Sequence, residues 1–108
     1  MLDIAVDSVF HMKEQGTVLA GRVVAGKIAV GDTIELRSPT QKVRSIVAGL
    51  EVHRKFVAAA ETGTEVAVLV REFAPASLND GLTPDESGGW RVVNLRIHGV
   101  TPPWWRFW

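Results

Sequence analysis

Apolar and polar positions alternate along Thr33-Ile34-Glu35-Leu36-Arg37, and from Glu65 to Phe73 Val66, Val68, Val70 and Phe73 alternate with Ala67, Leu69 and Arg71. Strict period-two alternation predicts half-buried β-strands, because successive strand side chains point to opposite faces. Ile4 to Met12, with Val6, Val9 and Phe10, predicts a first strand, and the β-branched run Thr17 to Val24 a second. Between them Lys13 to Gly16 reads as a turn, and Ala25-Gly26-Lys27 turns the chain into Ile28-Ala29-Val30. Gly31-Asp32 is a strong turn dipeptide, and Ser38-Pro39-Thr40 a loop. Lys42 to Val52 predicts one long or bulged strand, interrupted at Gly49. The segment from His53 to Ala60 is ambiguous, since Phe56-Val57-Ala58-Ala59-Ala60 suits the start of a helical turn. Glu61 to Thr64 is another turn, Glu65 to Phe73 a strand, Pro75 to Gly89 an irregular connection, and Trp90 to His98 strand-like again.

Short strands at roughly ten-residue spacing, joined by glycine turns, predict an all-β fold, an antiparallel barrel or sandwich. Val18, Val23, Ile28, Ile34, Ile46, Val66, Val68 and Val70 are the expected inward positions. The length of 108 residues fits one domain, and 46% hydrophobic with 22% charged residues is ordinary for a globular chain. Twelve basic residues cancel twelve acidic ones, so no global positive field favours strong non-specific nucleic-acid binding. Without cysteine there are no disulfides, thiol chemistry or cysteine-bound metals. The first residues lack the basic and long apolar regions of a secretory signal, and no apolar run reaches the ~20 residues needed to span a bilayer. A cytoplasmic location without membrane contact is expected.

The segment Gly16-Thr17-Val18, Gly21-Arg22-Val23, Gly26-Lys27-Ile28, Val30-Gly31-Asp32, preceded by Val9-Phe10, resembles the second domain of translational GTPases. A more specific pair, Val47-Ala48-Gly49-Leu50-Glu51-Val52-His53-Arg54-Lys55 and Glu61 to Arg71, resembles elongation factor Tu in particular. The resemblance runs from about Val6 to Leu82. It implies a closed six-stranded antiparallel barrel over residues 1–83, with residues 84–108 as a C-terminal extension. It also implies a site for the aminoacylated 3′ end of tRNA. Met12, Val18 and Leu69 would form the apolar pocket for the terminal adenine, and Glu51 would accept the ribose hydroxyl. Asp7, Ser8, Phe10, His53 and Arg54 would face the aminoacyl group, with Arg54 contacting the terminal phosphate or the acyl group by charge-assisted bonds. A carboxylate accepting a 2′-hydroxyl distinguishes RNA from DNA.

Three positions depart from that family: Ser8 where it has Asp, Glu14 where it has Gly, and Glu65 where it has Asn. Glu65 cannot donate the bond an amide can, and both added acids oppose an anionic ligand. The sequence therefore supports two readings: a non-enzymatic translation-associated module contacting tRNA or ribosomal RNA, or a protein-interaction module that kept the barrel and lost the RNA role. A translation-related protein would be its partner in the second.

No GxxxxGK loop followed by Ser or Thr occurs, nor an Asn-Lys-x-Asp base-recognition motif, so nucleotide hydrolysis by this chain alone is not expected. His11, His53 and His98 are scattered without metal-ligand spacing, and no serine sits in a GxSxG elbow, so no metal, cofactor or hydrolase chemistry is expected. Lys42, Arg44 and Lys55 are a candidate basic stripe, or simply the solvated outer face of a barrel. Three of the four tryptophans crowd the end of the chain; Trp104, Trp105, Phe107 and Trp108 are a candidate partner surface or a cover for one end of the barrel.

Overall fold

The computed structural model describes residues 2–12, 16–71, 78, 80–84 and 90–100. Eleven strands are present among them: β1 (Asp3–Met12), β2 (Gly16–Ala25), β3 (Lys27–Ala29), β4 (Thr33–Arg37), β5 (Lys42–Val52), β6 (Lys55–Val57), β7 (Ala59–Glu61), β8 (Glu65–Val70), β9 (Leu82–Pro84), β10 (Trp90–Val92) and β11 (Arg96–Gly99). Six of them form a closed antiparallel ring in the order β1-β2-β8-β5-β4-β11, with β11 returning to β1. Closure satisfies the ladder of every stave and leaves no free sheet edge in the ring.

The alternation read from the sequence sets the core. Val66, Val68 and Val70 of β8 point inward, while Glu65, Ala67 and Leu69 point outward. Ile34 and Leu36 of β4, Leu19 and Val23 of β2, Ile4 and Val9 of β1 and Ile97 of β11 join them, each at most 1% exposed. Ile28 and Ala60 are buried as cross-strand partners in a separate two-stranded ribbon, β3–β7.

Two bulges re-aim side chains. The register of β1 against β2 shifts between Val6 and Ser8, and that of β5 against β8 shifts between Val47 and Gly49. An extra residue in one strand reverses which parity faces the core. In β5 the even positions Lys42, Arg44 and Ile46 are exposed before the bulge, whereas Gly49 and Glu51 share the outer face after it. Ile46, expected inside, is therefore 61% exposed. Val18 is only half-buried, because it shares the outer face of β2 with Ala20 and Arg22.

Other expectations are also corrected. Residues 55–61 form two short strands rather than a helical turn, because β6 finds a ladder partner in β5 and β7 one in β3. Pairing with existing strands overrides the helix propensity of alanine. The connection from Pro75 to Gly89 is not wholly irregular, since β9 pairs with β10. Trp90 to His98 is two strands, separated at Val93-Asn94-Leu95. Phe73, expected within the eighth strand, lies outside the described residues. The sixth stave, β11, comes from beyond residue 83, where the sequence suggested that the barrel ends. It is held to β1 by a two-pronged ion pair: Arg96 Nε donates to Asp3 Oδ1 at 2.9 Å and Nη2 to Asp3 Oδ2 at 2.6 Å.

Candidate functional site

The cross-strand registers place the outward residues of β1, β2, β8 and β5 in rows. One row runs Phe10, Val18, Leu69, Gly49, and the next runs Ser8, Ala20, Ala67, Glu51. Residues opposite each other across a ladder share a face and touch. The first row is apolar, with Val18 and Leu69 in the middle and Gly49 leaving the flank of Leu69 uncovered; a Cβ there would lie 3.6 Å from Leu69 Cδ2. The second row is small in the middle, so the surface dips between Ser8 and Glu51.

That dip is an open cleft of about 260 Å³. Asp7, Ser8, Glu51, His53, Arg54 and Glu65 surround it, over a floor that includes Ala20 and Ala67. The bulges make it possible: Asp7 is the extra residue of the β1 bulge, and the β5 bulge turns Glu51 outward. His53 and Arg54 form the two-residue loop between β5 and β6, with φ of 50° and 65°. Such a hairpin turn needs left-handed backbone at both central positions, for which Asn-Gly is the favoured pair. Two side-chain-bearing residues held there carry strain, of the kind that collects at binding sites.

The structure thus brings together Asp7, Glu51, His53 and Arg54, and sets Phe10, Val18 and Leu69 in the adjoining apolar row. Met12 ends β1 opposite Gly16, and its side chain lies outside the described residues. Of the basic stripe, Lys42 and Arg44 share the outer face of β5, but Lys55 pairs with Val52 at the other end of that strand. Ten residue steps of strand, roughly 33 Å, separate the two ends. Trp104, Trp105, Phe107 and Trp108 lie outside the described residues.

One neighbour escaped the sequence reading. Phe56 is the cross-strand partner of Glu51 and is 85% exposed, an aromatic face standing beside the carboxylate. The signal was its position two residues beyond the His53-Arg54 turn, which reads as a returning strand once that turn is recognised as a hairpin.

Charge in the cleft leans acidic: three carboxylates, Asp7, Glu51 and Glu65, face one guanidinium and one imidazole. The Arg96 guanidinium, by hydrogen bond and charge, holds Asp3 below the usual carboxylate range, and Asp3 raises Arg96 in turn. Arg37 likewise lowers Glu35 on β4. Among the described residues no three His, Asp or Glu side chains are placed so that together they could hold a metal ion.

No protein-family model matches the chain. Among solved structures it is similar to a bacterial selenocysteine-specific elongation factor, EF-Sec, with 28% identity and a TM-score of 0.68 over 91% of this chain. It also superposes on the translation elongation factor SelB from Methanococcus maripaludis in its apo form, with a TM-score of 0.70 over 92% of this chain, at 16% identity. The chain spans only 14% and 18% of the length of those two proteins. The likeness carried by the glycine-punctuated sequence holds in three dimensions: this is a closed six-stranded β-barrel of the elongation-factor domain-2 type.

Proposed function

We propose that the chain is a translation-associated binding module, without catalysis of its own, that acts in the cytoplasm and receives the 3′ end of an RNA in the cleft between β1, β2, β8 and β5. The observation that carries this reading is the convergence of Glu51, Arg54 and Asp7 beside the Val18–Leu69 platform, through two bulges and one strained hairpin. In this reading the terminal base lies on Val18 and Leu69, Glu51 accepts from the ribose hydroxyl, and Arg54 meets the phosphate or acyl oxygen. The acidic lean of the cleft favours an aminoacylated end over a free one. An aminoacyl ester adds a cationic α-amino group that donates to Asp7 or Glu65, whereas a bare end offers only neutral hydroxyl donors.

One nucleotide held by a few contacts supports weak affinity, on the order of millimolar to tens of micromolar. The test is an NMR titration of aminoacylated and deacylated tRNA at low and moderate salt. Shifts centred on Glu51, Arg54 and Val18 that prefer the aminoacylated form, and that vanish in Glu51→Gln, are the expected result. Equal or absent shifts at those residues would defeat the reading.

A second reading, a protein partner on the same face, draws support from Phe56 and Phe10, which are 85% and 55% exposed beside the cleft. It predicts no response to either tRNA form, together with slowed exchange of the β5–β6 hairpin amides on binding a translation-factor protein.

A further inference from the structure

A second cavity is larger than the cleft. It is a groove of about 510 Å³ whose lining includes Thr33, Arg44, Ser45, Ile46, Ala48 and Arg71. None of these residues lines the cleft. The strand registers fix its layout. Thr33 on β4 is the cross-strand partner of Ile46. Arg71 follows Val70, the partner of Val47, and so stands beside Ile46 on the β8 side. Arg44 lies two residues before Ile46 on the same face of β5. Ala48 is the extra residue of the β5 bulge. Ile46, 61% exposed, is thus an aliphatic floor with one guanidinium along its own strand and another across the ladder. Diagonal neighbours of this kind are roughly 7–8 Å apart at the backbone.

Neither arginine has an ion-pair partner among the described residues. Glu35, opposite Arg44 across the ladder, is held by Arg37. The described lining of the groove contains no carboxylate, whereas that of the cleft contains three. The two sites therefore ask for opposite charge. A phosphate backbone would meet the guanidiniums and leave Ile46 against water. A peptide carrying carboxylates around an aliphatic side chain answers all three groups, because guanidiniums take carboxylates in a two-pronged fit and Ile46 takes the apolar group. In an extended peptide, alternate residues share one face and are about 6.4–6.8 Å apart, the same step that separates Arg44 from Ile46 along β5. The volume of the groove is that of a ligand pocket, with room for a few side chains.

We propose that this groove binds an extended acidic-aliphatic segment of a partner protein, of the form acid-x-aliphatic-x-acid. The aliphatic side chain lies on Ile46, and the carboxylates meet Arg44 and Arg71. The inference does not rest on the RNA reading, since the two sites use different residues.

The experiment is an NMR titration of the full chain with the peptide acetyl-Asp-Ser-Leu-Ser-Asp-amide at low salt. Saturable shifts of the Ile46 methyls and of the Thr33 and Ala48 amides are expected, with a Kd on the order of millimolar and no response at Glu51 or Arg54. Exchanging both acids of the peptide for Asn, or making the double variant Arg44→Gln/Arg71→Gln, should weaken binding roughly tenfold. Exchanging its Leu for Ser should weaken binding as well. Both arginines are exposed, so the barrel should persist, and the dispersed β-sheet amides report whether it does. No shift at Ile46 would overturn the proposal, as would equal binding of the altered peptides. Stronger shifts at Ile46 from hexauridylate than from the peptide would overturn it in favour of RNA. Ile46 shifts that follow protein concentration without peptide would overturn it in favour of a second copy.

Discussion

Gly21 pairs with Val6 where β1 and β2 approach closely, beside the β1 bulge that presents Asp7. A Cβ built on it would lie 2.1 Å from the carbonyl oxygen of Ala5 and 2.9 Å from Val6 Cα. Ordinary carbon–oxygen contact begins near ~3.3 Å, so Gly21→Ala demands a separation of about 1.2 Å between two backbones. Backbone cannot rotate away as a side chain can. The strands must part around the Val6–Gly21 and Ala5–Arg22 rungs. Losing or stretching one or two ladder bonds at about 1 kcal/mol each, with overpacking of 1–3 kcal/mol, gives about 3 kcal/mol of destabilisation. For a domain of this size that lowers the melting temperature by roughly 12–24 °C. Two other glycines serve as controls. At Gly31 nothing lies within 4 Å, but φ is +93°, so Gly31→Ala meets backbone strain alone, about 1–2 kcal/mol. At Gly49 the added methyl makes ordinary contact with Leu69, so Gly49→Ala should shift stability by less than about 1 kcal/mol. Thermal and urea unfolding followed by far-UV circular dichroism ranks the three. If Gly21→Ala melts no lower than Gly31→Ala, the close approach of β1 and β2 is not what the geometry says it is.

Three further outcomes are expected. The Asp3–Arg96 clasp between β1 and β11 should weaken in acid. Asp3 is depressed in the folded state, so its contribution is complete above its unfolded value near ~3.9 and is lost as pH falls through its lower folded value. With the two side chains 25% and 41% exposed, solvent screening limits the effect to about 1 kcal/mol. Asp3→Asn should therefore lower urea midpoints at pH 7, with the gap to the unaltered chain closing as pH falls through the lowered folded value of Asp3; a constant gap at all pH values would contradict the assignment. Arg54→Gly relaxes one of the two left-handed positions of the β5–β6 turn and should raise stability by up to about 1 kcal/mol while weakening any ligand of the cleft; equal melting temperatures would remove the argument for strain. Ending the chain after Pro84 deletes β11 and with it Ile97, which is fully buried, so the ring opens between β1 and β4. Loss of amide protection along β1 and β4 by hydrogen exchange is expected, and a barrel that stays protected without β11 would show that closure is dispensable.

The alternation in β4 and β8, the turns at Gly26 and Gly31, and the break at Gly49 in β5 are legible in the sequence, because each depends on backbone chemistry within a few residues. So is the row Val18–Leu69 with Glu51, through the resemblance to elongation-factor barrels. What only the tertiary structure decided is phase and closure. Period two says that Ile46 and Val47 face opposite ways, but which one is buried depends on the partners that β4 and β8 offer. That register exposes Ile46. Closure by β11 depends on pairing Asp3 with His98 and Gly99 with Ile34, contacts 95 and 65 residues apart in the chain. The meeting of Asp7 with Glu51, and of Phe56 with Glu51, likewise needs two bulges and a hairpin to act together. Local propensity carries no information about such pairings, since their free energy comes from ladders and burial that exist only once distant strands have met.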